Sequence, residues 1–129
     1  MRELKFRVWE EREKEYDTWS YILDDSGNLF RNAYGALIKC DKKDYIIEQY
    51  TGLKDKNGEM VYEGDIVLDC YDGDDAFIVE WDKDTASFIL TDTDNIICVN
   101  FYEYFPDKEL EVIGNIHENQ ELLEANGVD

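Results

Sequence analysis

Short runs of β-branched and aromatic residues recur along the whole chain, each bounded by Gly, Asn or Asp clusters, and that spacing points to an all-β fold. Leu4, Phe6 and Val8 alternate with Lys5 and Arg7, which predicts a half-buried strand with one apolar face. Thr18 to Leu23 and Asn28 to Tyr34 flank the turn residues Asp24-Asp25-Ser26-Gly27. Tyr45 to Tyr50 reads as a further strand, and Asp55-Lys56-Asn57-Gly58 then offers an Asn-Gly pair suited to positive φ. From Gly64 onward Ile66 to Cys70, Phe77 to Trp81, Ser87 to Leu90, Ile96 to Phe101 and Leu110 to Ile113 form an evenly spaced set. Their intervening turns (72–75, 82–84 and 91–95) are Asp-rich. Five short strands so arranged predict a small SH3-like barrel, because closure removes exposed strand edges. The expected fold is therefore mainly β: the barrel in the C-terminal half, additional N-terminal strands, and a short helical turn over 117–125 with Asn119 as its N-cap. No linker or repeat divides the chain, so 1–129 reads as a single unit, with a possible subdivision into 1–62 and 63–129.

A chain of 129 residues can bury a core without metal or disulfide support. With 43% apolar residues it is too hydrophobic for a disordered acidic tail. Its net charge of −19 is unevenly spread: residues 1–68 carry 11 Lys/Arg against 15 Asp/Glu, whereas 69–129 carry 2 against 17. So acidic a chain repels phosphate, which disfavours direct nucleic-acid binding. The same charge permits mimicry of a nucleic-acid backbone toward a basic partner, or simply gives a solvated face. Cys40, Cys70 and Cys98 are odd in number and widely separated, as expected of reduced thiols in a cytoplasmic protein. The charged start MRELKFRVWEEREKEY has no apolar core of a signal peptide, and no run is long enough to span a membrane.

The residue types that carry chemistry are scarce or scattered. His117 is the lone histidine, which excludes His-rich metal sites, and the cysteines lack the spacing of structural zinc. The Asp-rich turns lack the ligand order and glycine of an EF-hand. Ser20, Ser26 and Ser87 stand in no nucleophile-elbow context, and there is no phosphate-binding glycine loop. With 32 acidic residues, carboxylate pairs arise by chance. The expectation is no enzyme, no cofactor and no metal. Lys5-Phe6-Arg7-Val8-Trp9 is a small basic-aromatic patch interrupted by Glu3, Glu10 and Glu11, better suited to an acidic region of a neighbouring copy than to nucleic acid.

Three stretches have a distinctive composition. The first is Leu4 to Trp9. The second runs Gln49-Tyr50-Thr51-Gly52-Leu53-Lys54-Asp55-Lys56-Asn57-Gly58 and on to Val61-Tyr62-Glu63-Gly64-Asp65-Ile66-Val67. The third is Glu111-Val112-Ile113-Gly114-Asn115-Ile116-His117-Glu118-Asn119, followed by Glu121-Leu122-Leu123. Read physically, Gly52 and Gly58 permit backbone angles that a β-carbon penalises. Gly64 makes the entry turn to a strand, Asp65 bonds nearby N–H groups, and Gly114-Asn115 lets the chain leave its last strand. The loop from Gln49 to Gly58 is also a candidate recognition surface. In this order the stretches resemble the YopX-like family of bacteriophage and prophage proteins. The resemblance implies a phage or prophage origin and a β-rich fold, and it implies no catalytic residue. The expected role is an accessory protein working through contacts with itself, as a homo-oligomer, and with an unknown host or phage protein. The alternative is an acidic nucleic-acid mimic that inhibits a basic enzyme.

Overall fold

The computed structural model describes residues 3–16, 20–69, 76–92, 98–100 and 110–127, with backbone alone at 98–100 and 124–127. The chain forms two compact units, Phe6–Glu48 and a second made of Met1–Lys5 with Gln49–Asp129. One boundary falls within a long strand, and Gln49 to Tyr62 lies in the same unit as the residues from 63 onward.

In the Phe6–Glu48 unit, β1 (Phe6–Glu10) pairs antiparallel with β2 (Glu15–Tyr16), bringing Trp9 opposite Tyr16. The sequence places the start of this strand at Leu4, but Leu4 is 71% exposed and the strand begins at Phe6. Val8 and Trp9 are adjacent yet both buried, so the end of β1 is covered on both faces. The Trp9 indole meets Tyr16 edge-on at 5.0 Å and donates Nε1–H to Glu11 at 2.7 Å, which satisfies its polar edge.

A separate three-stranded sheet has the order β3-β4-β5, from β3 (Tyr21–Leu23), β4 (Leu29–Ala33) and β5 (Ala36–Lys39). β4 and β5 close through Tyr34 and Gly35, whose φ values of 53° and 87° are those of a two-residue hairpin turn. Val8, Leu29 and Cys40 make the buried core here, flanked by Phe6, Tyr21, Tyr45 and Ile47. Cys40 is buried and packs as a small hydrophobe.

In the other unit, β6 (Tyr45–Lys54), which starts in the first unit, pairs with β7 (Met60–Tyr62). A five-stranded antiparallel sheet has the order β11-β10-β9-β8-β12. Its strands are β8 (Asp65–Asp69), β9 (Ala76–Asp82), β10 (Ser87–Asp92), β11 (Cys98–Asn100) and β12 (Leu110–Asn115). These are the five strands expected from sequence. Their order, a meander with the last strand returning beside the first, is compatible with an SH3-like barrel, although no β11–β12 pairing is among those described. Alternate residues Phe77 and Val79, and Phe88 and Leu90, point into one core with Val61, Val67 and Leu110. α1 (Gln120–Gly127) follows, starting directly after Asn119. The turns at 72–75 and 93–95, together with Thr18, Cys70 and Ile96, lie outside the described residues.

Candidate functional site

Backbone hydrogen bonds tie Lys5 of the first stretch and Ile116 of the third to the second stretch. Tyr50 N donates to Lys5 O at 2.9 Å, linking the first stretch to the second. Ile116 N donates to Gly64 O at 2.9 Å, linking the second to the third. Within the second stretch, Gln49 O accepts from Glu63 N at 3.0 Å while Glu63 Oε1 accepts from Gln49 N at 2.8 Å.

Between the Tyr50–Tyr62 and Lys54–Met60 pairs, β6 spends more residues than β7, and the surplus forms a bulge. Gly52 sits there at φ 92°, an angle that disfavours any residue with a β-carbon. Thr51 is buried beside it and donates Oγ1–H to Val61 O at 2.8 Å. Leu53 turns its side chain to the core. The Tyr50 and Tyr62 rings pack with centroids 5.5 Å apart and planes tilted by 43°.

Asp55 organises the connection to β7. Its Oδ1 accepts from Asn57 N at 2.8 Å and Glu59 N at 2.9 Å, while Gly58, at φ 84°, donates its N–H to Asp55 O at 3.0 Å. Its Oδ2 reaches across to accept from Val112 N at 2.9 Å, and the next residue, Lys56, donates N–H to Leu110 O at 3.0 Å. Leu110 and Val112 lie on β12, an outer strand of the five-stranded sheet, so this loop occupies the edge of that strand. Further on, buried Asp65 accepts from Tyr62 N at 2.8 Å, and Gly64 turns the chain at φ 88°.

Gly114 has a different reason from the others. It lies inside β12, and a β-carbon built there would stand 2.5 Å from Asn119 Oδ1 and 2.6 Å from its Cγ. Asn119 does occupy the N-cap position, but its Oδ1 accepts from Asn115 N at 3.1 Å. Buried Asn115 in turn accepts from His117 N and Glu118 N at 3.0 and 2.9 Å through Oδ1. Gly114→Ala is expected to cost about 2 kcal/mol through overpacking. The cost should shrink when Asn119→Gly is present, a non-additivity that urea unfolding of the double mutant will read.

The polar side chains of this motif thus bind the chain itself. Burial pushes the Tyr50 phenol above its ordinary range. A raised phenol favours the neutral form in the fold, so its contribution is intact below the unfolded tyrosine pKa and is lost as pH rises through the folded value. Tyr50→Phe should therefore flatten the loss of stability above about pH 10, as followed by thermal melts at pH 9 to 11. Among the described residues no group of three or more His, Cys, Asp or Glu converges, and His117 is half-buried near the helix start. One feature that the sequence reading missed is an open depression of about 530 Å³ lined by Asn28, Leu29, Lys39, Cys40, Asp41 and Lys42. The two lysines flank a single carboxylate, in a protein that is otherwise strongly acidic.

The model of the YopX family, described as YopX protein, matches residues 5–124. The chain belongs to the YopX family. Among solved structures it is similar to protein EF1440 from Enterococcus faecalis, at 28% identity and a TM-score of 0.61, covering 95% of this chain and 99% of that one. It is also similar in fold to the yopX protein of Bacillus subtilis, at 19% identity and a TM-score of 0.57, covering 95% and 97% of the two chains. No curated protein matches it. The family match spans the Leu4-to-Trp9, Gln49-to-Val67 and Glu111-to-Leu123 stretches almost completely. No helix among the described residues is long and apolar enough to cross a membrane.

Proposed function

We propose that this YopX-family protein is a non-enzymatic phage or prophage accessory protein of the host cytoplasm that works through protein–protein contacts as a homo-oligomer. The observation that carries this reading is where the polar groups and the apolar surface lie. Thr51, Asp55, Asp65 and Asn115 spend their side chains on backbone partners within the chain. Apolar side chains stand in solvent elsewhere: Ile22, Leu23, Leu37 and Ile38 of the β3-β4-β5 sheet are all exposed. By register Ile22 and Leu37 stand on one face of this sheet and Leu23 and Ile38 on the other, and such exposed apolar side chains support contact with another protein. Size-exclusion chromatography with light scattering, at low and high salt, tests the reading. An oligomer is expected, and a strict monomer at every concentration counts against it. A pull-down from lysogenic host lysate would name any further partner.

The nucleic-acid mimic is the second reading, and the net −15 of residues 69–129 favours it. It requires competition with DNA for a basic host or phage enzyme. Unchanged activity of such enzymes in the presence of excess protein would remove its support.

A further inference from the structure

Two sheet edges of this protein are treated differently. The outer edge of β12 is occupied by the Asp55 loop, through Lys56 N to Leu110 O and Val112 N to Asp55 Oδ2. β5 is the outer strand of the β3-β4-β5 sheet, and among the described strands none pairs with its far side. All four of its residues, Ala-Leu-Ile-Lys, are exposed, Leu37 at 57% and Ile38 at 45%. Natural edges are ordinarily blunted by short length, edge lysines, proline, inward charge or a bulge, and of these β5 has its four-residue length and the terminal Lys39. β5 has no proline, and its register with β4 from Phe30–Lys39 to Ala33–Ala36 is unbroken.

The hydrogen-bond phase shows which β5 groups face outward. Cys40 N donates to Leu29 O, so on this side of β4 the hydrogen-bonded pairs are Leu29–Cys40, Arg31–Ile38 and Ala33–Ala36. The other side of β4 agrees: Asp24 N donates to Asn28 O and Asn32 N to Ser20 O, which assigns the even-numbered residues of β4 to β3. The N–H and C=O groups of Leu37 and Lys39 therefore point away from the sheet.

We propose that two copies of this chain join through this edge, β5 against β5 in antiparallel pairing about a twofold axis. The proposal rests on the homo-oligomer reading above and names its interface. Charge and aromatic placement single out a second copy as the occupant. Residues 28–43 carry Arg31, Lys39, Lys42 and Lys43 against Asp41 alone, in a chain of net −19. Antiparallel pairing sets the Lys39 to Lys43 segments of the two copies at opposite ends of the interface, which keeps these like charges apart. β5 is also unlike at its two ends: the fully exposed Tyr34 precedes it, and Lys39 and Lys42 close it. Antiparallel self-pairing brings each aromatic end against the partner's cationic end, a cation–π arrangement made twice by symmetry. The same pairing engages the outward groups of Leu37 and Lys39.

Hydrogen exchange and light scattering on the full chain test the interface. The amides of Leu37 and Lys39 should gain at least about tenfold protection between dilute and concentrated protein, while that of Ile38, bonded to β4, stays constant. Leu37→Pro removes an outward N–H not used within the sheet and should weaken association about 100-fold, from two lost hydrogen bonds per dimer. Leu37→Lys leaves the backbone intact and should weaken it by like charge, so one of the two variants remains informative if the other misfolds. Oligomers that persist in folded variants, with no change in Leu37 or Lys39 exchange, overturn the edge interface and leave the oligomer reading standing. A wild-type monomer at every concentration overturns both.

Discussion

Replacing Asp55 by alanine is expected to lower the unfolding free energy by about 4 kcal/mol, the largest effect of any single change outside the apolar core. The residue is 7% exposed, and its carboxylate accepts from three backbone N–H groups, those of Asn57, Glu59 and Val112. Hydrogen bonds to an ionised acceptor are the stronger kind, and truncation would strand all three donors in a place water reaches poorly. Asp55→Asn should cost about half as much, because one amide oxygen still serves the turn while the NH₂ faces the Val112 N–H. Urea unfolding will read both values, and a loss below about 1 kcal/mol for the alanine variant would refute the account. Asp24 supplies the internal control. It makes the same turn, accepting from Ser26 N and Asn28 N through Oδ1, with Asp24 N donating to Asn28 O and Gly27 N to Asp24 O. The Asn28 N–H holds the Asp24 carboxyl below its ordinary range, so the benefit is present above the unfolded aspartate pKa and fades as pH falls through the folded value. Asp24 makes no reach like that of Asp55 to a distant strand among the bonds described. Asp24→Ala should therefore cost only a small part of what Asp55→Ala costs.

The second large effect is expected at Arg7. Glu48 is 3% exposed and accepts from Arg7 Nε at 2.8 Å and from the Tyr16 hydroxyl at 2.8 Å. The guanidinium also lies 4.4 Å from the centre of the Tyr16 ring. Arg7→Met keeps the aliphatic stem but leaves a buried carboxylate without this cation, at a cost of about 3 kcal/mol. Removing the charge at both positions, as Arg7→Met with Glu48→Leu, should cost less than Arg7→Met alone, because the penalty belongs to the abandoned charge. If the double variant is the less stable of the two, the pair contributes more than it costs to bury, and this reasoning fails.

These sites show what residue patterns can and cannot reveal. The strands from Asp65 onward were legible because each is rich in β-branched and aromatic residues at regular spacing, with Asp-rich turns between most of them. β5 was not, because its hairpin turn is Tyr34-Gly35, and a tyrosine at φ 53° carries none of the Asn-Gly signature that marks such turns. β7, only three residues long, was too short to show a period. Gly52, Gly58 and Gly64 were legible as turn formers, and all three adopt positive φ. Gly114 was read in the same way, yet its constraint is the Asn119 side chain lying against it, a contact that no local pattern announces. Asp55 was recognisable as a turn residue, but its bond to Val112 crosses 57 positions and depends on the sheet being in place. The helix ends at Gly127, on the Asn126-Gly127 pair whose residue types suit a helix stop.

One consequence concerns synthesis on the ribosome. Lys5 and Tyr50 are backbone partners in the unit that contains Gln49–Asp129, whereas Phe6–Glu48 between them is a unit with its own core. At translation rates of about 5 to 20 residues per second, Lys5 exists for seconds before Tyr50 is made, while hairpins close in about 1 to 10 μs. The intervening unit therefore has all its own residues, and time to order them, before the earlier segment can find its place. Translation order and the order of structural completion are not the same in this chain.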